Sequence, residues 1–169
     1  MGEFLGQLLG GIPTDAYGVY LALALLTAAL VRCSLHPTVF ALVAWPGTTC
    51  HEASHLLVGV LLGAKPTSLS LWPRALGNGS WQLGAVEFTS LKWWNAPWTA
   101  MAPLLLAPLS LTLTLTWVYP SWATGDFTSA AIALYVCATI LQAAWPSVQD
   151  FEVAFPGLVV IGAIIAWLW

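Results

Sequence analysis

The sequence predicts an all-α polytopic membrane protein with about five transmembrane helices and a small β-hairpin between the second and the third. Hydrophobic residues make up 59% of the 169 residues, charged residues only 7%, and the mean hydropathy is +0.83. A soluble domain carries about 25% charged residues. The apolar residues fall into five long segments, and one polar interval, residues 65–94, separates the second from the third. We therefore expect residues 1–169 to form a single membrane-embedded domain.

Proline, glycine and the few charged residues mark the ends of the apolar segments. A helix that crosses a hydrocarbon core of about 30 Å needs about 20 apolar residues. The segments cover residues 16–31, 37–63, 96–118, 127–145 and 155–169. Because the first and the last are short for a full crossing, we expect a thin bilayer contact or partly interfacial ends there.

The β-hairpin is predicted over residues 67–90. The run from Ser68 to Trp72 alternates polar and apolar side chains, and the run from Trp81 to Thr89 is rich in strand formers. Gly77-Asn78-Gly79-Ser80 lies between the two runs as a natural turn. The polar interval therefore reads as two antiparallel strands joined by a glycine-rich turn.

Charge predicts the orientation and excludes one class of partner. Of the four basic residues, Lys65, Arg74 and Lys92 lie in the hairpin loop, so the positive-inside rule puts this loop in the cytoplasm. Five spans then leave the N-terminus in the cytoplasm and the C-terminus outside. The net charge is -3 and no basic patch is present, so we expect no nucleic acid as partner and no nucleotide cofactor.

The second segment contains the motif His51-Glu52-Ala53-Ser54-His55, an H-E-x-x-H pattern. On a helix, residues four apart lie on the same face, where two imidazoles can bind one zinc ion. Glu52 lies beside them as a candidate general base. An ionisable side chain at bilayer depth costs about 2.5 to 3.5 kcal/mol by insertion scales. Three of them together therefore favour a metal site over chance.

Two histidines and a water leave tetrahedral zinc one protein ligand short. Asp150 follows the fourth segment, which runs toward the cytoplasm as the second does, and so reaches the same depth as His55. Pro146 ends or kinks the helix before it and lets the carboxylate turn back toward the bundle. The sequence predicts Asp150 as the third ligand, with Glu152 as the reserve.

Taken in order, these features resemble the site-2 protease family of intramembrane zinc metallopeptidases. In that family a helix with H-E-x-x-H is followed by a β-rich cytoplasmic loop, a proline-bearing helix and a helix with an Asp ligand. Residues 68–89 resemble the loop and residues 100–108 the proline-bearing helix. The family pattern Asn-x-x-Pro-x-Pro-x-Leu-Asp-Gly is altered here: Gln142 replaces the Asn, and the Leu and Gly beside Asp150 are replaced.

The resemblance covers roughly residues 39–154, without the PDZ or cystathionine-synthase-type domain of larger members. It implies a metalloendopeptidase of a bacterial inner membrane that holds one zinc ion and cleaves membrane protein substrates on the cytoplasmic side. Glu52 would act as general base and acid, and Gln142 would bind the substrate backbone or the developing oxyanion. Two alternatives stay open: a catalytically inactive zinc-binding membrane protein and a metal transporter. A transporter would not need a Glu directly after the first His, and the chain has no evident inverted repeat.

Overall fold

The computed structural model describes residues 16–32, 37–75 and 81–169, and this part of the chain is mostly helical. The predicted turn at Gly77-Asn78-Gly79-Ser80 lies outside the described residues. The helices are α1 Tyr17–Arg32, α2 Pro37–Val43, α3 Trp45–Leu61, α4 Ala96–Ala100, α5 Leu106–Leu113, α6 Tyr119–Ala123, α7 Phe127–Ala143 and α8 Val148–Leu168. A 3-10 turn spans Ala102–Leu105 and a π-helical turn spans Thr114–Val118.

Prolines divide the second and third apolar segments into shorter helices. The predicted span 37–63 consists of α2 and α3, which meet at Ala44; Pro46 has no N–H to donate to the carbonyl four residues earlier. The predicted span 96–118 continues to residue 123. Its π turn comes directly before Pro120, and the N–H of Tyr119 donates there to the carbonyl of Thr114, five residues back.

The last two segments meet earlier in the chain than predicted. Helix α7 ends at Ala143 rather than 145, and α8 begins at Val148 rather than 155. Asp150 therefore belongs to the first turn of α8 and not to a connecting loop. The capping of α8 by its own side chains, described below, explains the early start.

Two apolar runs of the described residues are long enough to cross a membrane. They are Ala102–Ala123, with 22 residues, and α8, with 21. Helices α1 and α7 are also apolar but shorter, at 16 and 17 residues. Only 11% of the apolar window of α8 is buried against the rest of the protein, so most of this helix presents apolar side chains outward.

The polar interval forms two small antiparallel sheets. Strand β1 (Pro66–Ser70) pairs with β4 (Ala85–Phe88), and β2 (Arg74–Ala75) pairs with β3 (Trp81–Gln82). The strands form one long irregular hairpin, because the inner pair continues the outer one. The sequence prediction of a hairpin between the second and third apolar segments is confirmed, with the pairing broken between the two sheets.

Helix α7 lies at the centre of the bundle. Leu23 of α1 belongs to the main apolar cluster together with Ala133 and Cys137 of α7. On its other side α7 meets α3 at Gly47, where an added Cβ atom would overlap the Thr139 carbonyl. Small residues let helix backbones approach closely in membrane proteins. This close contact brings α3, with its two histidines, alongside the end of α7.

Asn95 connects the end of α3 to the start of α4. Its side chain is 1% exposed; its amide donates to the carbonyls of Leu62 and Ser90, and its Oδ1 accepts from the N–H of Lys92. A buried amide with its donors and acceptor satisfied fixes its neighbours relative to one another. Asn95 therefore holds α4 beside the helix that carries the histidines.

Candidate metal centre

The side chains of His51, His55 and Asp150 meet at one point between α3 and the first turn of α8. The two Nε2 atoms lie 3.2 Å apart. Asp150 Oδ1 lies 3.2 Å from His55 Nε2, and Asp150 Oδ2 lies 3.5 Å from His51 Nε2. The three residues form a group that could hold a metal ion.

These separations fit a tetrahedral ion. Metal bonds of about 2.0 to 2.2 Å at tetrahedral angles place neighbouring ligand atoms about 3.3 to 3.6 Å apart. The 3.2 Å between the two Nε2 atoms and the 3.2 Å between His55 Nε2 and Asp150 Oδ1 match this spacing within about 0.1 Å. The carboxylate approaches His51 Nε2 through its other oxygen, Oδ2, at 3.5 Å. Two imidazole nitrogens and one carboxylate oxygen also form a donor set typical of catalytic zinc, which keeps a fourth position open.

Backbone carbonyls from two other elements orient the imidazoles. His51 Nδ1 lies 2.7 Å from the carbonyl of Ala143, and His55 Nδ1 lies 2.8 Å from the carbonyl of Thr99. Because a carbonyl oxygen only accepts, both Nδ1 atoms must carry the proton and donate. In the neutral rings, both Nε2 atoms then present lone pairs toward each other and toward the Asp150 carboxylate. A cation between them relieves the repulsion, and such carbonyl contacts are typical of metal-binding histidines.

Both carbonyls are free to accept because of prolines and helix ends. In a regular helix the Thr99 carbonyl would accept from the N–H of residue 103, but that residue is Pro103. Ala143 is the last residue of α7, where carbonyls lack intrahelical donors. The N–H of Ser147, four residues later, donates to Asp150 instead. The Nδ1–H groups of the two histidines thus donate to carbonyl oxygens that lack a donor within their own helices.

Asp150 is held by its own helix. Ser147 is the N-cap of α8, and Asp150 is the third residue of the helix; together they form a capping box. Ser147 Oγ accepts from the N–H of Asp150, while the carboxylate accepts from the N–H and the hydroxyl of Ser147. This local network orders the first turn of α8 and aims the carboxylate at the histidines.

Glu52 lies in the same cleft as the metal group, beneath the hairpin. Its side chain is only 7% exposed. A Cβ atom added at Gly84, between β3 and β4, would lie 2.6 Å from Glu52 Oε1, so the hairpin backbone passes directly over the carboxylate. The cleft encloses about 630 Å³ and is also bordered by Gln142 and the exposed ring of Trp145. It could admit an extended peptide segment beside the metal group.

The structure brings most of the predicted site residues together. His51, His55 and Asp150 form the metal group, and Glu52 and Gln142 line its cleft. Glu152, the predicted reserve ligand, does not belong to the group: it is exposed and lies outside the cleft lining. On a helix, residues two apart point in nearly opposite directions, so Asp150 and Glu152 cannot serve the same site.

Sequence reasoning missed the residues that support the ligands. They are Thr99, Pro103, Ala143, Ser147 and Gly84, each of which contacts the site directly or frees an acceptor for it. A signal existed for Ser147: Ser followed three residues later by an acid, before an apolar run, is a capping-box pattern. The carbonyl partners carry no side-chain signal, since the atom involved is backbone.

Comparisons with models of protein families, with curated proteins and with solved structures found no match to this chain. Fold and site geometry are therefore the observations on which a function can be argued.

Proposed function

We propose that the protein is an intramembrane zinc metalloendopeptidase that hydrolyses peptide bonds of membrane-spanning or membrane-associated substrates. One observation carries the proposal: the ligand atoms of His51, His55 and Asp150 lie within 4.8 Å of one another, in a cleft that also holds the carboxylate of Glu52. A metal carrier needs the ligands alone, whereas hydrolysis also needs a base within reach of a water at the open position.

Zinc is the ion that this donor set favours, because two neutral imidazoles and a carboxylate with one open position are typical of catalytic zinc. His51, His55 and Asp150 would hold it. When bound, such an ion supplies Lewis acidity toward the scissile carbonyl and toward water. The remaining steps fall to side chains of the cleft.

Glu52 acts as the proton carrier. Its carboxylate accepts a proton from the attacking water and later returns it to the amine that leaves. Its low exposure keeps bulk water from competing for this proton. Gln142 lies on the cleft lining, where its amide N–H can donate to the substrate backbone or to the oxyanion that develops on the carbonyl.

Exposed apolar surface supports a membrane location. Soluble monomers rarely expose contiguous apolar patches larger than a few hundred Å². Here large apolar side chains are exposed along α1, α5 and α8, among them Leu25 at 63%, Leu109 at 45% and Val159 at 53%. We propose five membrane-crossing segments in a bacterial inner membrane, with the hairpin and the cleft on the cytoplasmic side, where three of the four basic residues lie.

The test is a comparison of zinc content and peptide cleavage in purified protein. Glu52→Gln should retain zinc and lose about 10²- to 10⁴-fold in cleavage rate, the usual contribution of a general base. Asp150→Ala should lose zinc, because one of the three ligands is gone. Cleavage is measured on a membrane peptide in detergent, and metal by elemental analysis.

Two exposed acids outside the cleft lining serve as matched controls. Glu87→Gln repeats the first charge change on strand β4, and Glu152→Ala repeats the second one on α8. Both should leave zinc and cleavage at parental levels. Unchanged cleavage in Glu52→Gln would reject the mechanism. A parent protein that binds zinc without cleaving would support an inactive zinc-binding protein, and metal flux that survives Glu52→Gln would support a transporter.

A further inference from the structure

The two oxygens of the Asp150 carboxylate have different surroundings. Oδ2 accepts from the N–H of Ser147 at 2.7 Å and from the hydroxyl of Ser147 at 2.7 Å. Among the described residues no N–H or O–H group of this kind donates to Oδ1, which lies 3.2 Å from His55 Nε2, while Oδ2 also lies 3.5 Å from His51 Nε2. A carboxylate oxygen offers two lone-pair sites. Two short hydrogen bonds therefore occupy both lone pairs of Oδ2 and leave those of Oδ1.

We propose that Ser147 is the positioning residue for the third metal ligand: by saturating Oδ2 it makes Asp150 a ligand through Oδ1 alone. This inference rests on the metal site of the proposed function and identifies the residue that orients its third ligand. A ligand bound through one oxygen leaves the fourth tetrahedral position open, whereas a carboxylate bound through both oxygens would crowd it.

The turn that contains Ser147 lies largely at the surface. Val148 and Trp145 are 77% and 75% exposed, and Pro146, between Trp145 and Ser147, is buried. Apolar contacts at these two residues thus contribute little to the position of the carboxylate. Ser147 uses its hydroxyl twice, since it accepts from the N–H of Asp150 and donates to Oδ2 of the same residue. This closed pair of bonds fixes the rotamer of Asp150.

The experiment measures metal affinity, not hydrolysis. Ser147→Ala and Ser147→Gly both remove the hydroxyl, and glycine remains an accepted N-cap residue, so the second variant keeps the start of α8. Zinc affinity, measured by competition with a chromophoric chelator, should fall about 10- to 100-fold in both, as for other residues that orient metal ligands. Ser147→Thr, which keeps the hydroxyl, should restore the affinity. Asp126→Ala is the matched control, because Asp126 caps α7 through the N–H of Ser129, away from the site, and its loss should leave zinc affinity unchanged.

Cobalt substitution gives a second measurement. Ser147→Gly keeps the backbone N–H bond to Oδ2 but loses the hydroxyl bond, which frees one lone pair of Oδ2. The carboxylate should then bind through both oxygens, which lowers the intensity of the visible Co²⁺ bands as the coordination number rises. Parental zinc affinity and an unchanged cobalt spectrum in Ser147→Gly would overturn the proposal, as would an equal loss of affinity in Asp126→Ala. If the parent binds zinc, depends on Ser147 and cleaves no peptide, the peptidase proposal fails while the role of Ser147 stands.

Discussion

The histidine pair and Asp150 bring ligands to the same point by opposite means. His51 and His55 are neighbours in sequence and share one face of α3, yet their orientation depends on carbonyls 92 and 44 residues away. Asp150 follows His51 by 99 residues and His55 by 95, yet it is held by Ser147, three residues before it. The two histidines are close in sequence but are oriented by distant residues. Asp150 is distant from them in sequence but is oriented by a residue of its own turn.

This difference predicts which substitutions should disturb each part of the metal group. The histidines depend on how closely α3 packs against α7 and α4, so changes in helix packing should disturb them. Asp150 depends on its own turn, so it should tolerate changes in packing elsewhere. Glu52 is a third case: it shares the helix of the histidines but is covered by the hairpin, whose described residues, 66–75 and 81–88, contribute no ligand to the metal group.

Among the residues that support the site, the largest effect should follow from the substitution Gly84→Ala, which should disturb the base, Glu52, and leave the metal ligands in place. The new Cβ atom would lie 2.6 Å from Glu52 Oε1, so either the carboxylate or the hairpin must shift. Because a displacement of about 1 Å can cost about 10²-fold in rate, we expect a loss of that order in kcat/KM. Zinc affinity should stay at the parental level.

Gly162→Ala is the control for Gly84→Ala, since a Cβ atom added at Gly162 in α8 meets nothing within 4 Å. It should preserve both cleavage and zinc. Loss of zinc in Gly84→Ala would show that the hairpin supports the metal ligands as well as Glu52. The prediction that the hairpin affects only the base would then be wrong.

A smaller effect is expected for Pro103→Ala, which tests the distant support of the histidines. Alanine supplies an N–H that can compete with His55 Nδ1 for the Thr99 carbonyl. Zinc affinity, measured by chelator competition, should fall about tenfold, the lower end of the range for residues that orient metal ligands. Pro108→Ala, in α5, adds an N–H that is not placed to donate to the Thr99 carbonyl, so zinc affinity should stay unchanged. Equal affinities in both variants would mean that the carbonyl does not tune His55.

The sequence sufficed for the apolar segments, the hairpin and the metal group because each depends on a pattern in side chains. Hydropathy marks the segments, alternation marks the strands, and four-residue spacing marks His51 and His55. What the sequence could not predict depends on backbone atoms from distant elements: the carbonyls of Thr99 and Ala143 that orient the histidines. The division of the second segment at Ala44 and the start of α8 at residue 148 did have sequence signals, in Pro46 and in the Ser147–Asp150 capping pattern. Glu152 was predicted as the reserve ligand from its depth in the membrane alone. Its position two residues after Asp150 on the same helix directs it away from the metal group.

The smallest effect on the metal is expected from Gly47→Ala, which tests whether close helix packing supports His51. Gly47 meets Thr139 one helical turn before His51 meets Ala143, so α3 and α7 advance together. A Cβ atom at position 47 would overlap the Thr139 carbonyl and push the helices apart. Overpacking of this kind typically costs about 1 to 3 kcal/mol.

We therefore expect a lower apparent melting temperature in detergent for Gly47→Ala, with zinc affinity reduced less than in Pro103→Ala. Gly18→Ala in α1, where nothing lies within 4 Å of the new Cβ atom, should leave stability unchanged or raise it by about 0.4 to 1 kcal/mol. A loss of stability in Gly47→Ala without a loss in Gly18→Ala would distinguish a packing effect from an effect of helix propensity. If Gly47→Ala lowers stability without any change in zinc affinity, the Ala143 carbonyl follows His51 as the helices separate, and the support of this histidine is less rigid than the contact distance of 2.7 Å implies.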